Sequence, residues 1–176
     1  MKTRALAVLG MMLVLVTVAR AQTRANPMRI VVDGTEWSRG ILHVQLAIPA
    51  IPGPVTLYFP KWIPGTHRPE GNIAELAGLT MRANGAPVTW VRDTLDYFTF
   101  HCDMPAGAGA LDVRLDALNV PRAPELGFVE WNNLVVYPAG RPVSQLYARA
   151  ALRLPAGWTA STALDSVGAS PDGIEY

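Results

Sequence analysis

The stretch "LTMRANGAPVTWVRD", Leu79 to Asp93, decides the fold class. Two runs of strand-like composition flank Asn84-Gly85, and both turn residues tolerate the positive φ that a two-residue hairpin demands. Pro87, just past the turn, has no N–H to give to a ladder, which places the returning strand at a sheet edge. Outward from this hairpin the signals stay β. Upstream lie "MRIVVD" and "ILHVQLAI"; in the second, Leu42, Val44, Leu46 and Ile48 share one face while His43 and Gln45 share the other. "VTLYF", "YFTFHCD", "ALDVRLDAL", "NLVVYP" and "QLYARAALRL" supply further strands between Pro- and Gly-rich loops such as "IPAIPGPV". Only "IAELAGL" has helical potential, for one or two turns. With 15 prolines and 15 glycines as punctuation, the expected fold is all-β: an antiparallel β-sandwich or distorted barrel forming a single domain.

The N-terminus is a separate matter. Lys2 and Arg4 precede a weakly polar to apolar run, Ala5 to Ala19, and Ala19-Arg20-Ala21 has the small-residue pattern of a signal-peptidase site. The run is shorter than the roughly 20 residues a membrane-spanning helix needs. The expectation is a cleaved signal peptide at 1–21, a flexible lead-in at 22–28 and the β domain at 29–176. The destination is periplasmic or extracellular, with no stable membrane anchor. The leader holds three of the basic residues and no acid, so the remaining chain carries a formal charge of −2, with its basic residues scattered singly. Nothing there favours nucleic acid.

Chemistry is sparse. Cys102 is the one cysteine, so no internal disulfide forms; alternating with aromatics, it reads as a small buried apolar residue. The three histidines are His43, His67 and His101, and none lies in H-E-x-x-H. His67 and Glu70 have a spacing that would pair them on a helix, but Pro69 argues against helix there. There is no G-x-S-x-G elbow and no phosphate loop. Asp93 with Asp96, and Asp112 with Asp116, read as solvated strand or turn positions. Trp62, Trp90, Trp131 and Trp158 stand beside turns or in strands, filling core or, alternatively, offering a stacking surface for sugars or peptides.

"PKWIPGTH", Pro60 to His67, resembles the P-x-W-x-P-G-x-Y segment in the N-terminal domain of the glycyl aminopeptidase family, metallopeptidase family sixty-one. Pro60, Trp62, Pro64 and Gly65 match; His67 stands where the family has Tyr. "ARAALRLPAGWTASTAL" is similar to the family's P-x-G-W segment, and the likeness runs over most of Met28 to Tyr176. The resemblance implies an all-β first part, followed in full-length members by a thermolysin-like zinc domain bearing H-E-x-x-H and usually by a PDZ domain. The zinc ligands belong to the second part, so no catalytic residue, metal ligand or cofactor carries over to this chain.

The expected function is therefore non-catalytic: a β domain that packs on the catalytic domain and helps to shape its peptide cleft, seeing peptide substrate only in that context. The chain is then either a fragment or a relative that kept only the β domain. The alternative is a stand-alone periplasmic module binding a glycan or peptide through exposed aromatics. The Pro60–His67 turn is the candidate cleft border. Pro fixes φ, Gly permits the bend, and Trp62 is expected to pack beneath it.

Overall fold

The computed structural model describes residues 22–63, 65–118, 123 and 125–176; the expected signal segment lies outside the described residues. Strands dominate. A larger sheet holds, in spatial order, β11 (Gly168–Ser170), β12 (Gly173–Glu175), β10 (Ala148–Arg153), β1 (Met28–Asp33), β2 (Ile41–Pro49), β8 (Ala110–Leu118), β4 (Leu76–Ala83) and β5 (Ala86–Pro87). A smaller sheet holds β6 (Trp90–Arg92), β7 (Thr99–Met104), β3 (Gly53–Tyr58) and β9 (Tyr137–Pro138). Pairing is antiparallel except between β1 and β10, which run parallel from Met28↔Ala148 to Asp33↔Arg153.

The strands form where alternation predicts them. In β2, Leu42, Val44, Leu46 and Ile48 are buried, while His43 and Gln45 turn away. Their inner face meets Leu111, Val113 and Leu115 of β8, and Leu57 and Phe100 enter the same core from the smaller sheet. Each such side chain removed from water contributes about 1.5–3 kcal/mol. Cys102 lies in this core, and burial, aided by the charge of Asp103, pushes its thiol up.

Asn84 and Gly85 take φ of 49° and 78°, as the two-residue hairpin requires, and join β4 to β5. Pro87 does lie at the edge of its sheet. The returning run is not one strand, however. After Val88 donates to the Met81 carbonyl at 2.9 Å, the chain crosses to the other sheet and pairs Trp90 with Cys102. "IAELAGL" makes a single 3-10 turn, Ile73–Glu75, and becomes β4 at Leu76. Residues 22–28 are anchored at their start. Gln22 is buried, its side-chain amide donating to the Tyr147 carbonyl at 2.6 Å and its own carbonyl accepting from Arg141 at 2.6 Å. Among the described residues no helix is long and apolar enough to cross a membrane.

Candidate functional site

The Pro60–His67 turn grows out of the end of β3. Phe59 is buried and donates its N–H to the Phe98 carbonyl at 2.8 Å, fixing the point at which the chain leaves the sheet. The excursion that follows closes on itself at Gly71, whose N–H reaches the Lys61 carbonyl at 3.1 Å. A β-carbon on Gly71 would stand 1.8 Å from the Pro60 carbonyl oxygen, so only glycine fits this neck. Inside the excursion, Thr66 N–H donates to the Ile63 carbonyl at 3.0 Å, and its hydroxyl donates to the same oxygen at 2.8 Å. Gly65 has φ of 91°, the sign that the third residue of a type II turn requires. Pro64 lies outside the described residues.

A second loop braces the first. Between β6 and β7, the Asp93 carboxylate accepts from the N–H groups of Leu95 and Asp96 at 2.8 and 2.9 Å. Asp96 in turn receives the Lys61 ammonium at 2.9 Å, and that ammonium also sits 5.6 Å from the Phe98 ring centroid. Lys61 immediately precedes Trp62, and Asp96 lies between Leu95 and Tyr97. Trp62 is 64% exposed, Leu95 95% and Tyr97 55%. The turn was expected to bury its indole; it presents the indole to solvent instead. An apolar display on two loops cross-braced by an ion pair has the chemistry of a contact surface.

The remaining residues of the turn do less. Pro60 is half-buried and forms the neck. His67 is exposed, and Glu70 pairs with Arg68 rather than with His67. Among the described residues, no group of three or more His, Cys, Asp or Glu side chains is placed so that it could hold a metal ion. These donors therefore do not fit a zinc site.

The other histidines are engaged in ways that spacing does not announce. His101 stands between Asp93, 2.9 Å from Nε2, and the Thr56 hydroxyl, 3.1 Å from Nδ1. The bond to His101, with those from the Asp96 and Leu95 amides, holds the Asp93 carboxyl down at about 2. His43 Nδ1 lies 2.7 Å from Asp116, with Glu36 3.4 Å from Nε2; the bond to Asp116 leads in raising its pKa, against partial burial. Asp93 and Asp116 are thus structural partners of histidines, not merely solvated turn residues.

Three tryptophans and a tyrosine form a second feature. Trp37 and Trp158 have ring centroids 5.9 Å apart, and Trp131 meets Tyr176 edge-on at 6.3 Å. All four line one cavity of about 330 Å³. The sequence reading did not single out Trp37, which is buried; its position in "DGTEWSRG", a loop by composition, gave no sign of that.

Comparison with known proteins follows the same lines. The family profile described as "Peptidase M61 N-terminal domain" matches residues 29–176. No curated protein matches the chain. Among solved structures, the crystal structure of an aminopeptidase N family protein from Idiomarina loihiensis superposes with a TM-score of 0.67 at 14% identity. It covers 84% of this chain and 26% of its own, so the chain spans about a quarter of that protein's length. At that identity the likeness speaks for the two-sheet fold alone. The profile match, extending from the first strand to the last, speaks for more: the chain belongs to the peptidase M61 N-terminal domain family.

Proposed function

We propose that this domain is the non-catalytic partner of a thermolysin-like zinc aminopeptidase domain, packing on it and forming one border of its peptide cleft. The carrying observation is the exposed Trp62 on a turn closed at its neck by Gly71 against Pro60 and braced by the Lys61–Asp96 pair. A large indole held in water is unfavourable until another surface covers it. In this reading the zinc and the general base reside in the catalytic domain, and the chain acts after export. The test is to co-express the chain with a thermolysin-like domain of the same family and assay glycyl-peptide hydrolysis. The two are expected to co-purify, with Trp62→Ala raising KM more than it lowers kcat. A catalytic domain equally active and equally stable without the chain would overturn the reading.

The cavity lined by Trp37, Trp131, Trp158 and Tyr176 favours a second reading, a module that binds a glycan or peptide by itself. Saturable quenching of tryptophan fluorescence by an oligosaccharide or peptide, lost in Trp158→Ala, is its expected signature. Absence of quenching across both ligand classes would remove it.

A further inference from the structure

The outward face of the larger sheet carries a trough of about 470 Å³ that neither reading uses. Strand register builds it. Arg29, Ala47, Asp112 and Arg82 lie side by side across β1, β2, β8 and β4, and Val31, Gln45, Arg114 and Thr80 form the adjacent row. Small side chains at Ala47 and Val31 make the floor, and the long arms of the arginines rise at the sides.

A solvated strand face is ordinarily charged, and its charges ordinarily pair with one another. One wall does so: Arg29 and Arg153 both grip Asp172, at 2.6 and 2.7 Å. The other wall does not. Arg82 lies directly opposite Asp112, yet its guanidinium turns to the Gly85 carbonyl instead. The side chains of Asp112 and Arg114, two residues apart on the same face of β8, have no hydrogen-bond or ion partner among the described residues. This wall therefore presents two guanidinium groups free of carboxylate partners, on diagonally neighbouring positions, and one free carboxylate about 7 Å along the strand from Arg114.

We propose that the trough binds a zwitterion, a short unblocked peptide, with its carboxylate on Arg82 and Arg114 and its ammonium on Asp112. Charge complementarity selects this occupant. A plain anion would meet Asp112 as a like charge, and a plain cation would meet the two arginines. Planar guanidinium groups hold a carboxylate by paired N–H bonds, and the carboxylate of Asp112 accepts from the amine. An extended peptide of two or three residues, about 7–10 Å long, reaches from the arginine pair to Asp112. The site lies on the other sheet from Trp62 and stands independently of the docking reading.

The experiment is a titration of the purified, isotope-labelled chain with triglycine, followed by amide and arginine side-chain NMR shifts. Triglycine is expected to move Gln45, Thr80 and Arg114 saturably. N-acetyl-triglycine and triglycinamide should each bind at least about tenfold more weakly, a difference of about 1.4 kcal/mol. Arg114→Gln and Arg82→Gln should lose binding, Asp112→Asn should abolish only the preference for the free amine, and Arg149→Gln should change neither. The proposal is overturned if triglycine moves none of these signals, or if the blocked peptides or inorganic phosphate bind as well as triglycine.

Discussion

Gly71 and Pro60 touch backbone to backbone, leaving no room for a side chain at the neck of the Trp62 turn. Gly71→Ala places a methyl group where the Pro60 carbonyl already stands, and neither backbone segment is free to withdraw. Urea unfolding is expected to show a loss of about 2–3 kcal/mol, with NMR shifts spreading through residues 60–71. A loss under about 0.5 kcal/mol would mean that the neck is loose.

Trp62→Ala should behave in the opposite way. With the indole in water, the isolated chain is expected to keep its stability within about 0.5 kcal/mol, whereas Leu57→Ala in the core costs about 2–5 kcal/mol. Parallel thermal melts of the two variants make the comparison. Destabilisation of Trp62→Ala on the scale of Leu57→Ala would place the indole inside.

His43 predicts a pH dependence of known sign. Its proton is held more tightly in the fold, chiefly by the bond to Asp116, than the ordinary histidine value of 6.5 allows. The protonated pair therefore stabilises the fold in full below about pH 6.5, and that contribution fades as pH rises through the higher folded value. Denaturant midpoints should fall between about pH 6 and pH 8, and His43→Gln should flatten part of that slope. Asp93 works at the other end of the scale. Its carboxyl is held near 2, so its stabilisation is present above the ordinary value of 3.8 and is lost as pH falls toward 2.

Cys102 should be inert in the fold. Burial disfavours the thiolate, which is the reactive form, so maleimide labelling at neutral pH is expected only after urea has opened the core. Rapid labelling of the folded chain would indicate that β7 opens locally.

Much of this fold is legible in the sequence because burial follows side-chain alternation. β2 and β8 carry a period of two that the structure repeats residue by residue, and Asn84-Gly85 names its own turn. β11 and β12 were not legible. "GASPDGIE" has no apolar alternation, and its strands form by annealing to β10 at an edge. Trp62 was misread for a related reason. Its apolar character argues for burial, but it sits on a turn shaped by Gly71 against Pro60 and by Lys61 with Asp96, the latter contact bridging 35 residues. The arginine trough is invisible for the same cause, since only cross-strand register brings Arg82, Asp112 and Arg114 together.

The parallel ladder between β1 and β10 imposes an order on the chain's assembly. One of the two edges of β1 finds its partner only when Ala148–Arg153 has been made, some 120 residues later. Until then that edge is an open template for pairing with any other extended chain. Closing so long a loop also sets the domain among the slower folders for its size. While the chain is being made, β1 can complete its pairing on that side only after β10 has followed it.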